Sequence, residues 1–158
     1  MASSTTDLRA TIEATVTQFL NGPEEALAAN DASVSLATLT ADCEHHLRPA
    51  AFITTNPFLK AVKSNEEQMA LLETVLATTE EFRWVGIREL VIDLEKQKAS
   101  VLAEHHTKVM GAEANTLEVT WFLDLTEDGK RISRVSEFID TATADRRIAD
   151  MRKQGILK

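Results

Sequence analysis

Leu117-Glu118-Val119-Thr120-Trp121-Phe122-Leu123-Asp124-Leu125 alternates apolar and polar side chains, with Phe122 the one residue out of step. A β-strand sends successive side chains to opposite faces. This period of two therefore predicts a strand with Leu117, Val119, Trp121, Leu123 and Leu125 on a buried face. Phe122 then lies on the outer face, where an aromatic side chain points to a subunit interface. Glu127-Asp128-Gly129-Lys130 follows at once, and its Asp-Gly pair is the strongest hairpin signal in the chain. The segment beyond it, Arg131 to Ile139, is read as the returning antiparallel strand.

Alternation extends towards the N-terminus, predicting further strands over Phe82 to Glu95 and Ala99 to Met110. The links are short, which favours an antiparallel meander. Before it the period becomes helical. Ser64 and Glu67 have capping-box spacing, and Met69, Leu71, Leu72, Val75 and Leu76 continue a helix to Thr79. Cys43 to Arg48 reads as a short strand stopped by Pro49, and Ala50 to Lys63 reads as irregular with a turn at Asn56-Pro57. At the N-terminus, Thr5 or Thr6 would cap a helix carrying Leu8, Ile12, Val16, Phe19 and Leu20, which Asn21-Gly22-Pro23 would stop. A second helix would start at Pro23 and carry Leu27, Val34, Leu36 and Leu39, with a break or kink at Asn30-Asp31. Ala144 to Gln154 reads as a C-terminal helix. The order predicts a single α+β domain over residues 1–158, with helices packed on a strongly curved, mainly antiparallel sheet that closes into a cone around a pocket.

The totals narrow the function classes. A formal charge of −8 in 158 residues argues against binding nucleic acid or an anionic membrane, both of which need basic patches. A single cysteine excludes an internal disulfide and suits a reducing compartment. No apolar run approaches the roughly 20 residues of a membrane span, and the opening Met-Ala-Ser-Ser-Thr-Thr-Asp has no apolar core for a secretory signal. A cytoplasmic protein with no membrane partner is the expectation.

Candidate chemistry concentrates in Asp42-Cys43-Glu44-His45-His46-Leu47-Arg48-Pro49 and in Glu104-His105-His106, which together hold all four histidines. Alternation turns Cys43, His45 and Leu47 inward and Glu44, His46 and Arg48 outward. It likewise turns His105 inward with Val101, Ala103, Thr107 and Val109. Histidine titrates near neutrality and exchanges protons in either direction, so His45 is a candidate acid/base group, although a buried structural histidine is the plainer reading of the residues alone. Adjacent histidines on a strand point apart, and no metal-ligand spacing accompanies them, so no metal is expected. Cys43 lacks an arranged base and reads as a small core residue. Trp121 reads as core or pocket wall. Arg134 and Glu137 share the last strand, where a surface ion pair is the commoner outcome for Arg134 and a hold on a carbonyl or ester the alternative.

Three pieces of this order carry a family likeness. They are Asp42-Cys43-Glu44-His45 with Pro49-Ala50; Ser64-Asn65-Glu66-Glu67 opening a helix; and Leu123-Asp124-Leu125 with Glu127 to Ile132, running on to Val135-Ser136-Glu137-Phe138-Ile139-Asp140. In order and spacing, over residues 7–150, the chain resembles the SnoaL-like branch of the NTF2-like superfamily. Within that branch it resembles small fungal isomerases and cyclases of meroterpenoid biosynthesis, of the terretonin, austinol and paraherquonin pathway type. The resemblance implies an NTF2-like cone and a homodimer without cofactors, which rearranges a polycyclic terpenoid–polyketide small molecule by acid/base catalysis. It places the catalytic groups at a histidine of the first strand, His45, and at a glutamate of the following helix, Glu66 or Glu67. Substrate contacts are then expected from His105, Trp121, Arg134 and Glu137. A polyketide cyclase or dehydratase on the same fold, or a non-catalytic binding or dimerisation module, are the rival readings. His105-His106 has no counterpart in the matching motifs.

Overall fold

The computed structural model describes residues 5–157. Helix α1 (Thr5–Ala29) leads through a 3₁₀ turn (Ala32–Leu36) into strand β1 (Leu39–Arg48). Helix α2 (Ala50–Thr55), strand β2 (Val62–Lys63) and helix α3 (Asn65–Thr78) precede a meander of four strands: β3 (Thr79–Asp93), β4 (Lys98–Val109), β5 (Asn115–Leu125) and β6 (Ile132–Ile139). Helix α4 (Thr141–Lys153) closes the chain. The sheet order is β2-β1-β6-β5-β4-β3. All neighbours are antiparallel except β1 and β6, which run parallel and are separated in the chain by α2, β2, α3 and the first three strands of the meander. The class is α+β, with four helices on a six-stranded mixed sheet. The sheet is curved but open, not a closed cone.

The segment Leu117–Leu125 is buried at every odd position, with Leu123 fully enclosed and Phe122 half exposed, as the period of two requires. Register shifts along β3–β4, between Trp84 and Gly86 and again between Ile87 and Glu89, add residues to one strand and bend it over the helices. Ile12, Val16 and Leu20 of α1 share one helical face and join Leu39, Cys43, Val101, Val119 and Leu123 in one core.

Two expectations change at the N-terminal end. The helix does not stop at Asn21-Gly22-Pro23; α1 runs through Pro23 to Ala29. Proline breaks a helix when its clash and missing donor are uncompensated. Here packing holds the far side, with Ala26 fully buried and Gly22 so close to the 3₁₀ turn that a Cβ would come 3.1 Å from Ser35 Cα. The true stop is Asn30. It takes φ +53°, and the N–H groups of Asn30 and Asp31 bond back to Leu27 and Ala26 in a Schellman arrangement. Thr5 and Thr6 are themselves helical rather than capping residues. The capping box at Ser64 is present in both directions. Ala50 to Lys63 is more ordered than its composition implied, with α2 and the two-residue β2, because Val62 and Lys63 complete the sheet beside β1.

Candidate active site

The concave face of the sheet and helices α1 and α3 enclose a cavity of about 180 Å³. Its lining is largely apolar and aromatic, with Phe19, Leu36, Leu72, Phe82, Val119 and Trp121. Among them stand the polar side chains His45, Gln68, His105, Glu137 and Arg147. Each polar group arrives by a simple rule. His45 is an inward position of β1. Glu137 stands on the adjoining strand β6, whose parallel register sets Val135 beside His45 and Glu137 beside Leu47. That offset of two residues along a strand is roughly 7 Å and keeps both side chains on the same face. Gln68 and Leu72 of α3 are four residues apart and so share a helical face.

His45 is oriented by a residue the sequence reading passed over. Its Nε2 lies 2.9 Å from Asn65 Oδ1. The Asn65 amide nitrogen donates to the carbonyls of Thr40 (2.8 Å) and Ala41 (3.2 Å), so the oxygen is the end that faces the ring. An amide oxygen only accepts, and Nε2 of neutral His45 must therefore carry the proton. Nδ1 keeps its lone pair and has no partner among the described residues. Burial holds the imidazole below the ordinary histidine value, with the Asn65 bond opposing the shift and the charges of Lys63 and His46 adding to it. At neutral pH this ring is a free base.

Glu137 is the one acid of the cavity wall among the described residues. The residue is half-buried, and desolvation raises the pKa of its carboxyl against the opposing charges of Lys63 and Arg147. Lys63 stands opposite His45 in the β1–β2 pair, and burial lowers its pKa as well. Arg147 reaches in from α4, donating from Nη2 to Asn115 Oδ1 at 2.8 Å.

His105 is 6% exposed, clasped between the rings of Phe82 and Trp121 with both centroid distances 5.0 Å. Burial, aided by Arg147, pushes its pKa down to about 4, so it is neutral at physiological pH. Neither ring nitrogen has a hydrogen-bond partner among the described residues. The outward histidines are occupied elsewhere: His46 pairs with Glu44 (3.0 Å) and His106 with Glu81 (3.6 Å). Cys43 is buried, and desolvation raises its thiol to about 12, which leaves it unreactive.

Of the residues singled out from sequence, the structure gathers His45, His105, Trp121 and Glu137 around the cavity and leaves three out. Glu66 is exposed. Glu67 accepts from the Ser64 N–H in the capping box and pairs with Lys60. Helical geometry explains both: Asn65, Gln68 and Leu72 define the inward face of α3, and positions 66 and 67 turn away from it. Arg134 stands on the outer face, 2.7 Å from Asp124, which also pairs with Lys98. The period of two on β6 already separates Arg134 from Glu137. The residues the sequence reading missed are Asn65, Gln68, Lys63 and Arg147. The α3 residues could have been found by extending the face of Leu72 backwards; Arg147 depends on where α4 docks. Among the described residues no three His, Cys, Asp or Glu side chains converge in a way that could hold a metal ion.

No family model matches the chain, and no curated protein matches its sequence. Solved structures do match its fold. PrhC from Penicillium brasilianum NBRC 6234 superposes with a TM-score of 0.79 over 96% of this chain and 94% of that one, at 17% identity. BvnE pinacolase from Penicillium brevicompactum gives 0.79 over 94% and 99%, at 14% identity. An NTF2-like protein of unknown function from Burkholderia pseudomallei K96243 gives 0.62 over 84% and 95%, at 20% identity. The likeness is one of fold, and the fold is NTF2-like.

Proposed function

We propose that this NTF2-like chain is an isomerase or cyclase that rearranges a polycyclic, oxygenated terpenoid–polyketide substrate by general acid/base catalysis. The observation that carries the reading is the pairing, on neighbouring strands of one cavity, of a neutral histidine with a fixed tautomer and a half-buried glutamate with a raised pKa. Two groups whose surroundings set one as a base and the other as an acid make an acid/base pair. His45 Nδ1 takes a proton from a substrate hydroxyl or from carbon next to a carbonyl. The enolate or alkoxide rearranges by retro-Claisen, aldol or ester-exchange steps. The Glu137 carboxyl returns a proton, and Arg147 stabilises the oxygen on which negative charge develops. The apolar wall of Phe19, Phe82 and Trp121 receives the ring skeleton and excludes water.

The likeness to fungal proteins, one of them a pinacolase by name, supports the same reading, as do the motifs from Asp42 to His45 and from Ser64 to Glu67. The reaction as written draws only on side chains of this chain and needs no cofactor. A homodimer joined through the outer face of the sheet, where Phe122 and Phe138 are half exposed, belongs to the proposal. No helix among the described residues is long and apolar enough to cross a membrane.

The test is mass spectrometry of purified protein incubated with oxygenated meroterpenoid intermediates. A product of unchanged mass and altered retention, absent with His45→Ala, is expected. A product lighter by one water would replace the reading with a dehydratase. Unaltered substrates with saturable binding would replace it with a binding module.

A further inference from the structure

Lys63 is one of the two residues of β2 and stands directly opposite His45, and opposed residues of an antiparallel pair share a face of the sheet. His45 in turn lies beside Val135 in the parallel pair, with Glu137 one inward position further along β6. Lys63, His45 and Glu137 therefore rise from the same face of three successive strands. The alternation agrees, since Val62, opposite the outward His46, is exposed. The segment is fixed at both ends: the Leu47 N–H donates to the Ala61 carbonyl at 2.9 Å, and Ser64 caps α3. Two residues beyond Lys63, Asn65 meets His45 Nε2. One short stretch of chain thus approaches His45 from two sides.

A half-buried ammonium is costly, and burial lowers the pKa of Lys63 against the charges of Glu137 and Glu67, the two carboxylates it faces. A lysine so placed ordinarily turns its head group to water or closes an ion pair. No carboxylate of the described residues closes one here, because Glu67 is taken up by Lys60 and by the Ser64 N–H. Lys63 does not line the cavity either, so it can reach the chemistry only through its neighbours. We propose that Lys63 is a positioning residue for the acid/base pair, whose ammonium behind His45 keeps the imidazole free of a proton and helps Glu137 release its own. A positive charge repels imidazolium and attracts carboxylate, so it biases both groups in the same direction. His46 also acts on His45, and Arg147 of α4 on Glu137, but both are present in every protein compared below. The role rests on the acid/base reading above.

The test removes the charge. Without it, His45 and Glu137 each hold a proton to higher pH. The base must be neutral and the acid protonated, so both limbs of the pH–rate profile should move to higher pH in Lys63→Met, and Lys63→Arg should restore them. The His45 ring is also titrated by NMR without substrate, its signal identified by loss in His45→Gln. Its midpoint should rise by about half a pH unit or more in Lys63→Met, the order expected of one unit charge in a half-buried site, and return in Lys63→Arg. Lys63→Gln carries the test should Lys63→Met fail to fold. A midpoint unmoved in the folded neutral variant, an equal rise in Lys63→Arg, or a lowered plateau with both limbs in place overturns the proposal. A midpoint that rises in a protein whose parent turns over nothing would sink the catalytic reading alone. A His45-dependent reaction whose His45 midpoint ignores Lys63 would sink this one alone.

Discussion

His45 Nε2 and Asn65 Oδ1, twenty residues apart in the chain, meet at 2.9 Å and tie the middle of β1 to the first turn of α3. Because Asn65 spends its amide hydrogens on the Thr40 and Ala41 carbonyls, the contact fixes which nitrogen of His45 is basic.

Asn65→Leu removes that contact. The hydrogen bond raises the His45 pKa against the stronger effect of burial, so its loss lowers the pKa further. A base works in its neutral form, and the rising limb of the pH–rate profile should therefore move to lower pH. The plateau should fall by roughly tenfold or more as the ring loses its fixed orientation. A profile unmoved in both respects would deny Asn65 a positioning role.

Glu137→Gln should cut turnover by about 10²–10⁴-fold, the usual worth of a positioned proton donor. Glu66→Gln and Glu67→Gln should leave it nearly unchanged, because neither side chain reaches the cavity. Ser64→Ala is the structural control, since losing the cap costs about 1 kcal/mol of stability without touching the chemistry. Steady-state kinetics beside thermal melts separate these outcomes.

His105 makes stability depend on pH. Its folded-state value of about 4 lies below the 6.5 of an unfolded chain, so between those limits the unfolded chain binds more protons. Stability is lost as pH falls through that window, by roughly 3 kcal/mol in all. Glu137, with its raised pKa, works in the opposite sense but is present in both proteins compared. Denaturant melts across the window should show a shallower loss for His105→Phe than for the parent; parallel curves would refute the assignment.

Gly22→Ala should destabilise the fold by about 1–3 kcal/mol. The new Cβ would stand 3.1 Å from the Ser35 backbone, so α1 and the 3₁₀ turn must part. Chemical denaturation measures this directly, and an unchanged midpoint would show that the two segments yield freely.

The outer face of the sheet carries Phe122 at 53% and Phe138 at 50% exposure, on adjacent strands and the same side. Replacing both by Lys should convert the proposed dimer into a monomer in sedimentation velocity while leaving the melting temperature of the protomer close to that of the parent. Identical sedimentation of parent and variant would place any interface elsewhere.

The order of elements was legible because it is written in short-range periodicity. The alternation of Leu117 to Leu125, the Asp-Gly turn and the Ser64–Glu67 capping box each concern residues close in sequence, whose side-chain directions follow from local geometry. Pro23 shows the limit of that kind of evidence. Its local preference is to stop or start a helix, and the burial of Ala26 and the approach of Gly22 to Ser35 overrode it.

From the sequence alone it followed that His45, His105 and Trp121 point inward, because a strand residue has only two faces to choose from; Glu137 was placed only on the last strand. The tertiary structure alone decided which of them line one cavity and which acid stands beside them. The parallel pairing of β1 with β6 brings Glu137 to His45 across about ninety residues of chain. The docking of α3 and α4 adds Asn65 and Arg147. Periodicity records the direction of a side chain, but it holds no information on strand register or on where a helix settles, and those two features gather His45, His105, Trp121 and Glu137 around one cavity.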